Sequence, residues 1–226
     1  MTPPSNFDRV ARLYRWAEYL ALGPLLQQTR VHFLPQVAHT RRAVVLGDGD
    51  GRFLARLLVQ NPKLHAVALD SSAAMLALLR SRCERASSTA PYRLRTLQHS
   101  VLKHTCSRDT DLIVSHFFLD CFTQPEVDAI VHHFGQAARP GTLWLLSDFR
   151  IPEGVLRPFA KVYIRALYLA FRILTGLRVT HLPNHGAALN AVGFGCIARH
   201  EKLGGLLYTE LWQRRRQDIR AGVELI

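Results

Sequence analysis

The stretch Arg41-Arg42-Ala43-Val44-Val45-Leu46-Gly47-Asp48-Gly49-Asp50-Gly51-Arg52-Phe53-Leu54 decides the fold of this chain. Four consecutive apolar residues ending at a glycine read as a strand buried on both faces, the signature of a parallel sheet. Three glycines at alternate positions then let the backbone turn tightly and approach a ligand. A helix follows, Arg52 to Gln60, stopped by Asn61-Pro62. Strand, glycine loop and helix in that order put the loop at the carboxyl end of a strand, where open α/β sheets bind their ligands.

The same alternation continues outward from this stretch. Leu64 to Leu69 reads as a second buried strand ending at Asp70, and Ser71 or Ser72 can cap a helix from Ala73 to about Ala86. Tyr92 to Leu97, Asp111 to Ser115 and Thr142 to Phe149 read as further strands, with a helix from about Pro125 to Ala138 between the last two. Leu156 to Leu177 is helical and apolar, and His185 to Val192 is a short helix closed by Gly193. Ile197 to Lys202 and Leu206 to Trp212 form a hairpin about Gly204-Gly205. The first 40 residues are helical, with Phe7, Val10, Leu13, Tyr14, Ala17 and Leu20 at helical spacing. The expectation is one α/β domain with a doubly wound, mostly parallel sheet. Residues 1–40 would be a helical lid, 41–150 the cofactor core, 151–192 a cap and 193–226 the hairpin and tail.

The glycine loop constrains its ligand. A dinucleotide loop needs Gly or Ala where Arg52 stands, and a phosphate loop needs Gly-Lys-Ser/Thr, which is absent. Asp48 and Asp50 put two carboxylates where a pyrophosphate would lie. They suit a ligand with a positive centre or an amino group, and S-adenosylmethionine has both a sulfonium and an α-ammonium. Asp70, about 20 residues beyond the loop, can accept two hydrogen bonds from vicinal ribose hydroxyls. The alternative for Asp70 is a helix cap at the strand–helix junction.

Several classes fall away on composition. Of 226 residues 48% are apolar and 20% charged, so the chain is globular and not disordered. Asp8, Arg9, Arg12, Arg15 and Glu18 interrupt any apolar leader, and Arg165 and Arg172 interrupt the most apolar helix. Cys83, Cys106, Cys121 and Cys196 show no zinc spacing, which predicts buried thiols, no metal and a cytoplasmic location. The net charge of +12 suits an anionic partner, but the arginines are spread along the chain, as in a merely basic protein.

The chain resembles the class I S-adenosylmethionine-dependent methyltransferases, in their ubiquinone/menaquinone C-methyltransferase-like branch. Residues Ala43 to Phe53 resemble the first motif of that family, and Val67-Ala68-Leu69-Asp70-Ser71-Ser72-Ala73-Ala74-Met75-Leu76 resembles the second. Thr110 to Ser115, Arg139-Pro140-Gly141-Thr142-Leu143 and Ala191-Val192-Gly193-Phe194 resemble the fourth strand, the turn before the fifth, and the approach to the final hairpin. The resemblance implies seven strands with the last antiparallel, and S-adenosylmethionine held by Gly47, Asp48, Gly49, Asp50, Gly51, Asp70, Ser71, Met75, Ser100 and Ser115. Phe7-Asp8-x-x-Ala11-x-x-Tyr14 resembles the branch's lid, which would lay Tyr14 over the cofactor. Two positions depart from the family. Val45 stands where most members carry an acid, which would shift methionine-end recognition to Asp48 or Asp50. Ser100 stands where many carry an Asp on the adenine amine, and a hydroxyl can still accept that hydrogen bond.

After the fourth strand comes His116-Phe117-Phe118-Leu119-Asp120-Cys121-Phe122. His116 is a candidate general base, and Asp120 could orient it or bind substrate. In Leu156 to His185, Tyr163, Tyr168, Phe171 and Leu174 alternate with Arg157, Lys161, Arg165, Arg172 and Arg178. That pattern suits a hydrophobic substrate pocket, a peripheral membrane contact, or a helix packed on the core. His181, Asn184 and His185 are candidate polar pocket residues. The expected function is methyl transfer to a small, hydrophobic molecule. An RNA methyltransferase and a non-catalytic binding module are the alternatives, and Ser115-His116-Phe117-Phe118 lacks the tetrapeptide of base amino-methylation.

Overall fold

A computed structural model describes residues 22–104, 106–176 and 179–216, and within it the side chains of residues 174 and 175 are not described. Tyr14, most of the expected lid and Arg178 lie outside the described residues. The elements are α1 (Gly23–Val31), α2 (Leu34–Val37), β1 (Arg42–Leu46), α3 (Arg52–Gln60), β2 (His65–Asp70), α4 (Ala73–Ala86), α5 (Ala90–Arg93) and β3 (Leu94–Gln98). There follow β4 (Leu112–His116), α6 (Gln124–Ala137), β5 (Leu143–Phe149), α7 (Arg157–Thr175), α8 (His185–Ala191), β6 (Phe194–Lys202) and β7 (Leu207–Arg214).

One seven-stranded sheet runs in the order β3-β2-β1-β4-β5-β7-β6. The first five strands pair in parallel, and β7 pairs antiparallel with β5 and with β6. The order reverses between β1 and β4, which creates the crevice where such sheets hold ligands. The third strand starts later than its alternation suggests. Pro91, within the first turn of α5, favours that short helix over the strand until Arg93. The short helix α8 starts where Asn184 accepts the Ala187 N–H, so Asn184 caps that helix.

Two cores lie on the two faces of the sheet. Phe53, Leu54, Leu57, Leu76 and Leu79 of α3 and α4 pack on one, and Ile130, Phe134, Trp144, Leu189 and Phe194 fill the other. A third cluster caps the carboxyl edge, joining Leu26, Phe117, Phe149, Ile164, Tyr168 and Leu207. Of the four cysteines, Cys83 and Cys106 are buried, Cys121 is half-buried and Cys196 is exposed, so the expectation of four buried thiols holds for only two.

Candidate active site

The turn after β1 brings the first two strand ends together. Gly47 N–H donates to Leu69 O at 2.9 Å, setting the glycine loop beside Asp70. Beyond Asp70 the same edge continues through His99, whose N–H donates to Asp70 O, to Ser100. The three loop glycines all have positive φ, for different local reasons. A Cβ at Gly51 would lie 2.8 Å from Leu79 Cα, so this glycine lets α3 and α4 approach. A Cβ at Gly47 would overlap the Phe118 ring. At Gly49 a Cβ would meet nothing within 4 Å, so the loop's bare backbone there faces open space.

The loop carboxylates are turned to its own framework. Asp48 Oδ2 accepts the Leu54 N–H at 3.0 Å, serving the first turn of α3. Asp50 bridges Arg52 and Arg82, at 3.1 Å and 2.8 Å, while Arg82 Nε also donates to Asp50 O. Asp50 thus ties the loop to α4. Asp70 Oδ1 accepts the Ser72 N–H at 2.8 Å, and the helix cap itself is Ser72, whose Oγ accepts the Met75 N–H. Of the alternatives Ser71 and Ser72, the structure selects Ser72. Ser71 and Ser100 are exposed along this edge, and Met75 is buried beneath it. Val45, at the family's acidic position, is 1% exposed within β1.

Strand β4 delivers its last two residues to opposite faces. Ser115 is buried, and its hydroxyl accepts the Trp144 indole N–H at 2.9 Å, deep in the core. His116 is also buried, edge-on to Phe53 at 4.5 Å between ring centroids. Its Nδ1 lies 2.8 Å from Ser147 Oγ. Ser147 donates on to Thr209 Oγ1, and Thr209 to Leu146 O, which can only accept. That chain of donors assigns the Nδ1 proton to His116 and leaves Nε2 a bare lone pair. Burial and the nearby Arg30 cation hold the His116 pKa well below the usual imidazole range.

Phe117 then takes φ +50, the left-handed region that a bulky residue rarely adopts, with its N–H held by Ser147 O at 2.7 Å. This sharp turn lays Phe118 over Gly47 and starts the helical turn Leu119–Cys121. Asp120, buried in that turn, has its pKa pushed up to about 6 by desolvation. Asp148, fully buried on β5, is pushed well up by burial and by Asp120. His185 Nε2 sits 3.3 Å from Asp148 Oδ2 without hydrogen-bond alignment, and its Nδ1 is 2.9 Å from Tyr208 Oη. Burial lowers the His185 pKa to about 4. Tyr168 Oη donates to Asp120 O at 3.1 Å, tying the site to α7.

Asp148, Tyr208 and Arg30 were not singled out from the sequence. The signal for Asp148 was legible, because an ionisable residue interrupting the buried strand Leu143–Phe149 needs a reason. Nothing local marked Phe118 as the neighbour of Gly47. His181 is exposed. Among the described residues no cluster of metal-ligating side chains occurs.

Comparison with known proteins bears on the same stretch. Residues 44–143 match a family model described as a methyltransferase domain. No curated protein sequence matches the chain. Among solved structures, an O-methyltransferase family protein from Burkholderia thailandensis is similar at a TM-score of 0.70 and 14% identity, over 92% of this chain and 60% of that one. A methyltransferase of calicheamicin biosynthesis, solved with S-adenosylhomocysteine bound, gives 0.64 and 20%, over 89% of this chain and 56% of that one. An O-methyltransferase family 2 protein from Planctomyces limnophilus, in complex with apigenin, gives 0.66 and 14%, over 90% and 61%. The chain therefore spans less than two thirds of the length of each. Residues 44–143 thus resemble a methyltransferase domain, and the chain has the fold of these solved methyltransferases.

Proposed function

We propose that this protein is an S-adenosylmethionine-dependent methyltransferase acting on a small, hydrophobic molecule. One observation carries the reading: at Gly49 a left-handed, side-chain-free turn faces open space beside Asp70 at the switch point of the sheet. A cradle that a single Cβ would narrow is the feature a closely bound cofactor needs. Bound there, S-adenosylmethionine supplies a methyl group already activated on a sulfonium.

The backbone of Gly47, Gly49 and Gly51 holds the methionine end, Asp70 accepts from the ribose hydroxyls, and Ser71 and Ser100 border the nucleoside side. Asp48 and Asp50 act on the loop, through α3 and α4, and not on the ligand by direct charge. Met75 and Ser115 support the groove from beneath. Because the donor is activated, positioning and water exclusion supply most of the catalysis. The helical turn after β4 stands where the acceptor would lie. Asp120, with its pKa near neutrality, takes the acceptor's O–H or N–H proton, and ionised Asp120 is the form that does so. His116, locked edge-on to Phe53 with its Nδ1–H donated to Ser147, positions β4 instead. The lipophilic character of the acceptor accords with the buried apolar cluster of Phe117, Phe149, Ile164 and Tyr168 packed beside this turn.

Calorimetry with S-adenosylhomocysteine and with NAD tests the cofactor. Binding of NAD in preference to S-adenosylhomocysteine would reject the reading. Transfer of label from the cofactor into fractionated small-molecule, lipid and RNA extracts then identifies the acceptor class, and labelling of RNA alone would replace the small-molecule reading.

A further inference from the structure

Helix α7 has two apolar faces, and among the described residues the fold uses only one. Ala160, Ile164, Leu167, Tyr168 and Phe171 recur at helical spacing and meet the cap cluster. On the opposite side Phe159, Val162, Ala166, Leu169 and Ile173 recur at the same spacing, all of them exposed. Phe159 is 73% exposed, Val162 67%, Leu169 58% and Ile173 75%, and Val155, in the turn that leads into the helix, is 87% exposed. Single exposed apolar residues are ordinary, but an unbroken stripe on one helix is not. The helix is 19 residues long, hence about 28 Å. No helix among the described residues is long and apolar enough to cross a membrane.

The border of the stripe identifies its occupant. Arg157, Lys161, Arg165 and Arg172 run along one flank of the helix, and no acidic residue occurs from Gly154 to Thr175. Among the described residues none of these four cations makes an ion pair, whereas Arg52, Arg82, Arg150 and Arg199 all do. An apolar ridge beside an unneutralised basic row matches the acyl boundary and the phosphates of an anionic bilayer. A second protein surface would have to supply a matching acidic row beside an apolar groove.

We infer that α7 docks the protein on anionic membrane surfaces, its outward stripe entering the interface while Lys161, Arg165 and Arg172 reach lipid phosphates. This rests on the methyltransferase reading only for its purpose: Tyr168 links the same helix to Asp120, so docking would set the acceptor side of the site beside the lipid phase.

The test uses the full chain and two vesicle types, phosphatidylcholine alone and phosphatidylcholine with 30 mol% phosphatidylglycerol. Flotation should show binding to the anionic vesicles only, weakening as salt rises. Joint replacement of Lys161, Arg165 and Arg172 by Gln should lower the partition coefficient roughly a hundredfold, at about fivefold per charge. F159S with I173S should abolish binding at unchanged charge, and F159W should shift its emission to the blue on adding anionic vesicles. Each variant's circular dichroism and S-adenosylhomocysteine affinity should match the parent, which separates docking from the cofactor site. No anionic-vesicle binding at low salt would overturn the inference. So would concentration-dependent dimerisation that F159S/I173S removes, because the stripe would then be a contact between copies.

Discussion

Replacing Gly49 by Ala separates the fold from the site more cleanly than any other single change. The residue sits at φ +58, and a Cβ there would meet no atom within 4 Å. The fold therefore loses only the preference of an L-residue for right-handed backbone, about 1–2 kcal/mol. At 2–4 °C per kcal/mol for a domain of this size, that lowers Tm by roughly 2–8 °C. The ligand loses more, because the new methyl occupies the space its methionine end would fill. A tenfold or larger loss of S-adenosylhomocysteine affinity is expected, about 1.4 kcal/mol or more. Gly51→Ala is the contrast. Its Cβ would lie 2.8 Å from the Leu79 backbone at φ +79, so overpacking adds to the backbone strain and about 2–5 kcal/mol of stability is lost. Calorimetry and thermal denaturation on both variants give four numbers. If Gly49→Ala binds S-adenosylhomocysteine within twofold of the parent, the loop is a turn and not a cradle.

Asp70→Ala should weaken S-adenosylhomocysteine binding by about 1–3 kcal/mol, the scale of unpaired hydroxyls, and a loss of stability without a loss of affinity would make Asp70 only a brace for Ser72. Ser115→Ala orphans the Trp144 indole N–H, so denaturant unfolding should show a loss of about 1–3 kcal/mol at unchanged cofactor affinity. Asp120→Asn should abolish turnover, spare S-adenosylhomocysteine binding and raise stability at pH 7.5. With its pKa raised from 3.8 to about 6, folded Asp120 keeps a proton that the unfolded chain releases. Its contribution to stability therefore falls as pH rises through that window, by up to roughly 3 kcal/mol, and the gain in the variant should fade toward pH 4. His185 runs the other way: with its pKa lowered from 6.5 to about 4, its contribution is full above pH 6.5 and is lost as pH falls through that range. The two slopes oppose each other in the parent, so Asp120→Asn alone should be the more acid-sensitive protein in urea titrations at pH 4.5 and 7.5.

Much was legible without coordinates, for local reasons. Ala43 to Leu46 before Gly47 could only be a buried parallel strand, and the same rule placed β2, β4 and β5 to within a residue or two. The hairpin followed from the glycine pair at 204 and 205, while the antiparallel last strand was implied by the family resemblance. Asp70 and Gly47 were set side by side by strand order alone, since both end neighbouring strands at the switch point.

Only tertiary structure decided what each polar side chain does. Asp50 looked like a ligand for a cation, and it found its cation in Arg82, on α4 and 32 residues away. Ser115 and His116 looked alike as polar ends of one strand, yet the pleat sent one to Trp144 and the other to Ser147, on opposite faces of the sheet. Asp120 has its pKa raised because folding buries it, and it in turn raises that of Asp148, a residue 28 positions away that its own neighbourhood does not mention. The apolar residues of α7 read as one amphipathic face until the cap cluster took half of them. Periodicity depends on neighbours a few residues apart, so the sequence determines which segments are helix or strand. Pairing, burial and charge compensation depend on which distant segments meet, and no local pattern records that.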